Sequence, residues 1–393
     1  MERFDQSPTD PAFVQSPYGA YDRARDMGDI VFWADYGLPA TTTHAATQAV
    51  LRDRRLGREA PGEHAEAPAP HTAPFYAVEA HSMLELEPPR HTRLRGLVLR
   101  AFTSRRIAGL APDIEALCHR LIDSFGGEVE LLSAYARAVP VTVIARLLGV
   151  PETMGDQLLA WSGAMVAMYR PGRTRAEEDA AATAARAFSD FLRRHIEARR
   201  SRPADDLITH LIAAEEDGAR LTPDEMISTC ILLLNAGHEA TVHALGNGVK
   251  TLLETGTPFY PENSVAIAEE ILRFDSPLHL FTRWVYESVE IFGHRFARGD
   301  RIACLLGAAN RDPAVFADPN RFDPARFGGK APVQLAFGAG PHFCVGAPLA
   351  RLELQIALTV LFARCPDLAL CGVPRYGDIY HFHGLERLEV TTG

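Results

Sequence analysis

The sequence predicts a mainly α-helical protein with small β-sheets, in which residues 1–393 form a single domain. The chain is 47% apolar and 23% charged over 393 residues, so it can bury a substantial core. Apolar residues recur at three- and four-residue spacing over long stretches, whereas strand-like runs are short and scattered. No internal repeat and no Gly/Ser-rich linker divides the chain, which favours one compact unit.

One long stretch of the sequence shows neither a helical nor a strand-like pattern. Residues 61–74 are rich in Pro, Ala and His and cannot form a regular helix, so we expect a long loop there. Long loops in compact domains often cover active sites. Helices are predicted over 107–125, 154–169, 176–199, 204–216, 264–274 and 347–364, and strands over 29–33, 289–291, 301–305 and 388–391.

The clearest helix begins at Thr222, which can serve as its N-cap. Pro223 suits the first helical position and Glu225 completes a capping box. The helical pattern continues to about Gly256, which gives a helix of roughly 45 Å at 1.5 Å per residue. A helix of that length would cross the whole molecule and form its centre.

The middle of this central helix combines apolar residues with small and polar ones. Ala236, Gly237 and Ala240 are small at helical spacing, so one face could be flat enough for a planar ligand to approach the backbone. A crossing with another helix would use small residues equally well. The spacing alone leaves both interpretations open.

Charge and cysteine content restrict the partners and the compartment. The net charge of -10 argues against a nucleic-acid-binding or membrane-surface protein and leaves small molecules and proteins as partners. The six cysteines form no Cys-x-x-Cys pair and no dense framework, which fits reduced thiols. The first residues lack an apolar signal core, and no apolar run is long enough to span a membrane. We expect a cytoplasmic protein without a membrane anchor.

A glycine-rich loop places Cys344 just before a predicted helix with Pro348 near its first turn. The helix dipole there stabilises an anionic sulfur, and Gly338, Gly340 and Gly346 allow close approach of a bulky group. A dinucleotide loop would need glycine at 343, a phosphate loop would need Gly-Lys-Ser/Thr, and a zinc site would need more ligands. A buried structural cysteine is the remaining alternative.

The spacing Phe337-x-x-Gly340-x-x-x-Cys344-x-Gly346 resembles the haem-binding signature of the cytochrome P450 family. The resemblance implies a single triangular-prism domain with small sheets and a long central helix. It also implies haem b, iron protoporphyrin IX, with Cys344 as the metal ligand and Phe337, Gly338 and Gly346 beside the cofactor. Thiolate donation to the iron favours cleavage of the O–O bond on the opposite face.

Other family motifs follow in the same order along the chain. Glu270-Ile271-Leu272-Arg273 matches the family's Glu-x-x-Arg, whose one-turn spacing allows an ion pair. Pro319-Asn320-Arg321-Phe322 lies between this motif and the cysteine, and its Arg321 resembles the third member of the family's Glu-Arg-Arg cluster. We interpret Glu270, Arg273 and Arg321 as a structural cluster.

The central helix resembles the family's oxygen-activation helix, with Ala236 and Gly237 beside the cofactor and Glu239 as the catalytic acid. The family's usual threonine is replaced by Ala240. Since that hydroxyl normally helps to deliver protons, another route is needed. We consider a substrate hydroxyl, water held by Glu239, or His238. Thr241 lies about 100° further round the helix and would substitute only with local distortion.

The resemblance also suggests haem-propionate partners and a docking surface. Residues 90–106 carry six Arg and no acid, which predicts a positive surface for an acidic ferredoxin or, alternatively, a solvated helix face. The ferredoxin would be reduced by an NAD(P)H-dependent ferredoxin reductase, and we expect the protein to be a monomer. The expected propionate partners are His91, Arg95, Arg283 and His342.

By position, the family's substrate pocket would draw on residues 70–84, 230–241, 278–282 and 379–383. We expect an aromatic pocket with polar handles for a small organic substrate, into which one atom of O2 is inserted. A peroxide-driven oxygenase and a haem protein that binds ligands or recruits partners without oxygenation remain alternatives, because of Ala240. The predicted lining residues are Leu233, Ala236, Leu280, Phe281 and Phe382, with His279, Tyr380, His381 and His383 as further candidates.

Overall fold

Helices dominate the computed structural model, which describes residues 1–65, 67–170, 172–214 and 220–393. Among the described residues, no helix combines the length and hydropathy that a bilayer crossing requires. The described α-helices are α1 (Pro11–Gln15), α2 (Tyr18–Met27), α3 (His44–Arg52), α4 (Ala73–Glu79), α5 (Arg90–Ala101), α6 (Ser104–Gly109), α7 (Ala111–Ile122), α8 (Ala138–Leu148), α9 (Gly155–Val166), α10 (Arg175–Ser201), α11 (Leu207–Ala213), α12 (Pro223–Thr255), α13 (Ser264–Phe274), α14 (Leu306–Ala309) and α15 (Ala347–Arg364).

The strands are short and form four small sheets. The largest has six strands in the order β1-β2-β3-β9-β6-β4, and the others have the orders β10-β13-β5, β11-β12 and β7-β8. The described strands are β1 (Arg3–Phe4), β2 (Ile30–Trp33), β3 (Leu38–Thr41), β4 (Leu56–Gly57), β5 (Glu128–Glu130), β6 (Leu280–Val285), β7 (Val289–Ile291), β8 (His294–Phe296), β9 (Arg301–Leu305), β10 (Ala369–Leu370), β11 (Arg375–Tyr376), β12 (Leu385–Arg387) and β13 (Glu389–Thr391).

The described structure consists of two compact units. The first unit comprises Met1–Gly62, Ala111–Arg137 and Ala240–Gly393, and it contains all the described strands. The second unit comprises Glu63–Leu110 and Ala138–Glu239 and is helical over its described residues. The boundary at residues 239 and 240 falls inside α12, so one continuous helix contributes to both units.

Several elements confirm the sequence predictions. Helices α13 and α15 have the predicted bounds, and α9 and α10 lie within a few residues of theirs. The helix predicted over 107–125 is instead two helices, α6 and α7, which meet at Leu110. The reason is Pro112, whose ring nitrogen has no N–H to continue a helix from α6.

Two irregular segments also differ in detail from the sequence predictions. The stretch 61–74 contains only short 3-10 turns until α4 begins at Ala73, with residue 66 outside the described residues. Helix α11 begins at Leu207 rather than at 204, because the side chain of Asp206 caps it through the backbone N–H of Thr209. Its predicted end at 215–216 lies outside the described residues.

Helix α12 begins with the predicted capping box. The Thr222 N–H donates to the Glu225 carboxylate at 2.9 Å, and the Glu225 N–H donates to Thr222 Oγ1 at 3.3 Å. Near its other end, in the first unit, a Cβ on Gly246 would lie 2.6 Å from Leu132, and one on Gly248 would lie 2.6 Å from Ile271. These two glycines therefore allow neighbouring segments to pack directly on the helix backbone.

A buried polar network in the first unit surrounds Asp275, at the end of α13. Its carboxylate accepts hydrogen bonds from Tyr18 at 2.8 Å, from His383 Nδ1 at 2.9 Å and from Tyr376. These donors hold the pKa of Asp275 well below its usual range despite complete burial. The His383 ring also stacks on Tyr376, with ring centroids 3.9 Å apart. Within the first unit, the network therefore connects α2 and residues 376–383 to the end of α13.

Candidate active site

The cysteine loop is shaped by two glycines with left-handed backbone conformation. Gly338 has φ 68° and Gly340 has φ 73°, a region that disfavours residues with a side chain. A Cβ on Gly340 would lie 2.3 Å from the carbonyl oxygen of Leu51 in α3, so the loop packs directly on that backbone. The loop closes where the Cys344 N–H donates to the Phe337 carbonyl at 3.0 Å.

Helix α15 anchors the loop through Phe337. The Arg351 guanidinium lies 4.5 Å from the centre of the Phe337 ring, and it also pairs with Glu269 of α13. The Phe343 ring contacts Phe337 edge-on at 6.3 Å. Phe337 was predicted to lie beside the cofactor, and the structure adds its role in fixing the loop to α15. The contact of Arg351 with Phe337 was not predicted, although the sequence places Arg351 one turn into the predicted helix.

Cys344 presents its side chain to the exterior of the first unit. It is exposed and lies two residues before Gly346, the N-cap of α15. A Cβ on Gly346 would lie 3.8 Å from the Cys344 sulfur, an ordinary van der Waals distance. Cys118, Cys230 and Cys304 differ, because burial raises the pKa of their thiols to about 11, 12 and 11. The structure thus excludes the alternative that Cys344 is a buried core thiol.

The predicted pair of Glu270 and Arg273 is fully buried in the first unit. Nε and Nη2 of Arg273 donate to the two carboxylate oxygens of Glu270, each at 2.7 Å. The remaining N–H groups of Arg273 donate to the carbonyl oxygens of Asn310, Pro319 and Arg321 at 3.0, 2.9 and 3.3 Å. The guanidinium therefore has a partner for each of its five donors.

The third member of this cluster is Arg326, which corrects the prediction of Arg321. Arg326 Nε lies 3.4 Å from the Glu270 carboxylate, with only 10% of its side chain exposed. The Arg321 side chain is 67% exposed and pairs with Asp323 at 2.6 Å, so it contributes only its carbonyl group to the cluster. The motif Pro-x-Arg-Phe occurs twice in succession, at 319–322 and at 324–327, and the second copy supplies the buried side chain.

The Glu270 cluster and the cysteine loop are connected through Asn310. Its carbonyl accepts from Arg273, and its Oδ1 accepts from the N–H of Leu335, just before the loop, at 2.7 Å. A second connection runs through Glu269, which accepts from Gln334 at 3.2 Å. Disrupting the cluster would therefore disturb the position of the loop.

In the second unit, the middle of α12 exposes one small residue within a mostly buried helix. Ala236 is exposed, whereas Leu233 is buried, with 8% of its surface accessible. A Cβ on Gly237 would lie 3.6 Å from Ile144 of α8, so this glycine serves a helix crossing. His238 is buried, with Nδ1 at 2.7 Å from the Leu234 carbonyl one turn earlier. The helix-crossing interpretation therefore applies to Gly237, and the planar-ligand interpretation of exposed Ala236 stays a prediction.

The proposed proton-handling residues differ in their exposure. Glu239, in the second unit, and Ala240, in the first, are partly exposed. Thr241 is buried, with 6% of its surface accessible. Since α12 is continuous through these positions, it shows no distortion that would bring Thr241 round to the place of Ala240.

The predicted cationic residues are distributed over both units. In the second unit His91 is buried and Arg95 partly buried. In the first unit Arg283 is buried and donates to the Thr282 carbonyl at 2.9 Å, and His342 is partly buried beside the cysteine. Arginine and histidine side chains can both donate to carboxylate groups, so the expectation that these residues contact propionates stays a prediction.

The arginine-rich segment 90–106 is partly neutralised within the second unit. Arg93 pairs with Glu225, and Arg106 pairs with Asp205 at 3.2 Å. Arg100 and Arg105 are exposed. The predicted positive surface is therefore smaller than the sequence count of six suggested.

The predicted pocket residues of the first unit do not share one environment. Leu280, with 2% of its surface accessible, packs in an apolar core that includes Tyr380, so a place in the substrate pocket is not supported for it. Phe281 is partly buried, and the Phe382 ring lies 5.7 Å from the ring of His243 on α12. The further candidates His279, Tyr380 and His383 are buried in hydrogen-bonded networks, as Tyr21 bonds both His279 and Tyr380 at 2.8 Å.

Comparison with known proteins shows the relationship of the whole chain. The family model for cytochrome P450 matches residues 265–366. Cytochrome P450 107B1 of Saccharopolyspora erythraea is 37% identical over 98% of this chain and 97% of its own. The cytochrome P450 monooxygenase PikC of Streptomyces venezuelae is 36% identical over 91% of this chain and 86% of its own. The solved structure of P450BioI with an acyl carrier protein ligated to hexadec-9Z-enoic acid has TM-score 0.90 and 33% identity, covering 97% of this chain and 99% of that one.

The helical fold and the cysteine loop define a haem-thiolate protein. With relatives of this identity and coverage, the chain belongs to the cytochrome P450 family. It is a monooxygenase, an oxidoreductase that incorporates molecular oxygen, and its cofactor is protoporphyrin IX haem. The donor set fits that group, since an exposed thiol precedes a helix and the same unit contains Arg283 and His342, whose side chains are of the type that binds carboxylates.

Glu353, on α15, gives a prediction about pH and stability. Its carboxyl group is fully buried, Oε2 has no partner among the described residues, and burial raises its pKa from 4.5 to about 8. The folded protein keeps a proton that the unfolded chain releases, so stability falls as pH rises from 4.5 to about 8 and is level above. Glu353→Gln removes this loss, and its advantage should grow by about 1.4 kcal/mol per pH unit in that window.

The measurement for Glu353→Gln is the melting temperature of variant and wild type at about pH 5 and about pH 8.5. The exposed carboxylate of Glu197, 75% accessible on α10, provides a control, since Glu197→Gln should show the same difference at both pH values. An equal difference for Glu353→Gln at both pH values would contradict the prediction.

Proposed function

We propose that this monooxygenase inserts one oxygen atom from O2 into a small organic substrate, with electrons from a ferredoxin and an NAD(P)H-dependent ferredoxin reductase. The observation that carries the proposal is the exposed thiol of Cys344 on a loop fixed by Gly340, Phe337 and Arg351. The haem, when bound, supplies oxygen activation at its iron, and Cys344 is the residue we assign as the iron ligand.

We assign the remaining cofactor contacts by the chemistry of the side chains. His91, Arg95, Arg283 and His342 would hold the propionates, since Arg offers paired donors to a carboxylate and His one donor. Ala236 is the small exposed residue on α12, and it leaves room for a planar group against the helix backbone. Phe337 and Gly338 carry no charge, so we assign them to the shape of the cysteine loop and not to the propionates.

Proton handling falls to residues around Ala240, which has no hydroxyl. Buried His238 already engages the carbonyl of its own helix, and buried Thr241 lies on another face. Glu239 is partly exposed and carries a carboxylate, so we assign it to hold the water or the substrate hydroxyl that brings the proton. A substrate with its own hydroxyl group would replace the missing side chain most directly.

The substitution Ala240→Thr tests this assignment and separates the alternatives. With NADH, a surrogate ferredoxin and its reductase, wild type should turn over, and Ala240→Thr should raise the product formed per NADH by about two- to tenfold on a substrate without a hydroxyl. With peroxide as the only oxidant, the variant should give no such gain. A substrate that carries a hydroxyl serves as the control and should show little difference between the two proteins.

Three results of that experiment would contradict the proposal. Turnover only with peroxide would favour a peroxide-driven oxygenase. No product with either oxidant, over a broad set of substrates, would favour a haem protein that binds ligands or recruits partners. Unchanged coupling in Ala240→Thr would show that proton delivery does not depend on position 240.

We propose that the ferredoxin docks on the exposed part of the arginine-rich segment. Arg100 and Arg105 are exposed there and can present positive charge to a partner. Opposite charge on an acidic ferredoxin would mainly raise the association rate.

The cysteines without disulfide bonds, including exposed Cys371, support a reducing compartment such as the cytoplasm.

A further inference from the structure

Helix α9 carries a polar residue in the middle of its buried face. Leu158, Ser162 and Met165 follow one another at spacings of four and three, so they lie on one side of the helix. All three are buried, with 1%, 1% and 0% of their surface accessible. Ser162 Oγ has no hydrogen-bond partner among the described residues. Nothing in the local helix structure therefore accounts for a hydroxyl at this position.

Helix α12 carries a matching residue in the same unit. Asn235 follows the buried apolar residues of α12 and directly precedes exposed Ala236. It is itself buried, with 7% of its surface accessible, and its Oδ1 has no partner among the described residues. Its Nδ2 lies 4.0 Å from the sulfur of Met165, so this side chain reaches the buried face of α9 that carries Ser162.

Two buried polar groups without partners are costly, because each gives up hydrogen bonds to water on folding. An apolar residue at either position would avoid the cost and would suit the surrounding helix faces. A hydroxyl group can donate to the Asn235 carbonyl oxygen and at the same time accept from the Ser162 hydroxyl, so that every one of these groups is paired. A carboxylate or a ketone has no proton to donate to Asn235. An ammonium group could donate to both oxygens but would leave the Ser162 proton without an acceptor.

We infer that Asn235 and Ser162 are specificity-determining residues that recognise a hydroxyl group on the substrate. The inference rests on the proposed function and deepens it by naming the substrate class as an alcohol with an otherwise apolar body. A site built to bond a hydroxyl discriminates strongly against the analogue that lacks it, since the protein groups are then left unpaired.

The simplest competing explanation is a hydrogen bond between Asn235 and Ser162 themselves. The melting temperature without substrate distinguishes this explanation from recognition of a ligand. If the groups await a ligand, Ser162→Ala and Asn235→Leu should leave the melting temperature of the haem-loaded protein unchanged or raised. The matched control is Ser228→Ala, because Ser228 is equally buried in the same unit but donates to the Val78 carbonyl at 2.8 Å. That control should lower the melting temperature.

Binding is then measured by calorimetry with two matched pairs of probes, 2-indanol against indane and cyclooctanol against cyclooctane. Wild type should prefer the alcohol of each pair by about 10- to 100-fold, and Asn235→Leu should reduce the preference to within about threefold. Ser162→Ala should give an intermediate ratio.

Two outcomes would overturn the inference. One is a lower melting temperature in both single variants with no further loss in the double variant, which would show that the two side chains bond each other. The other is equal binding of alcohol and hydrocarbon by wild type. Failure of the proposed function would be seen in a separate measurement, as loss of the thiolate-type spectrum of the reduced, carbon-monoxide-bound protein. The binding ratios do not depend on that spectrum.

Discussion

Arg273→Ala should destabilise the protein by about 3–5 kcal/mol, the usual effect of removing one partner of a buried ion pair. Arg273 is fully buried and makes five hydrogen bonds, two to Glu270 and three to backbone carbonyl groups. The substitution leaves the Glu270 carboxylate without its main partner and removes the donor of the Asn310 and Pro319 carbonyl groups, whereas the Arg321 carbonyl still accepts from Arg326 at 3.2 Å. Arg273→Lys should recover only part of the loss, because an ammonium group cannot form the paired contact.

The measurement is thermal unfolding of the haem-loaded variants, with haem retention followed in parallel. Loss of haem is expected with Arg273→Ala, since Asn310 connects this cluster to the segment before the cysteine loop. Arg321→Ala is the matched control and should change stability by less than about 0.5 kcal/mol, as for other exposed positions. Arg326→Ala should fall between the two. A larger effect at 321 than at 326 would restore Arg321 to the cluster and contradict the structure.

Cys344→Ala should remove the thiolate-type spectrum of the reduced, carbon-monoxide-bound protein and abolish monooxygenase turnover. The reason is that Cys344 is assigned as the only protein ligand that donates charge to the iron. The loss of activity should exceed the roughly 10- to 100-fold that loss of an outer-shell partner costs at metal sites. The measurement is the difference spectrum at equal haem content, followed by product formation with a surrogate ferredoxin and reductase.

The matched control for Cys344→Ala is Cys371→Ala, because Cys371 is the other exposed cysteine among the described residues. Its substitution should leave the spectrum and the turnover unchanged. The same thiolate-type spectrum in Cys344→Ala as in wild type would show that another residue holds the iron and would remove the basis of the proposed function.

Local signals in the sequence predicted the parts of the fold that depend on neighbouring residues. The capping box at Thr222 and Glu225 fixes the start of α12, and the bounds of α13 and α15 follow from their apolar spacing. The cysteine loop was predicted for the same reason, since its glycines and the following helix lie within one short segment. These features depend little on distant parts of the chain.

Features that depend on long-range contacts were less predictable. Two copies of Pro-x-Arg-Phe lie next to each other, and only the folded chain shows that Arg326 and not Arg321 reaches Glu270. Leu280 is another case, because a strand turns alternate residues to opposite sides and only the folded chain shows that its side chain packs in an apolar core. The lack of a partner for Asn235 Oδ1 could not be predicted either, since it depends on every residue that surrounds this atom in the folded chain.

The network around Asp275 has a consequence for how the protein is made. Tyr18 belongs to the second helix of the chain and His383 to the last residues, yet both bond the same carboxylate. The first unit is assembled from three separate stretches of sequence, whereas the second lies entirely between them. During synthesis the chain must leave the ribosome as far as residue 383 before Asp275 can acquire its last partner. The helical unit ends at Glu239, so all of its residues leave the ribosome before the unit that carries Cys344 receives His383.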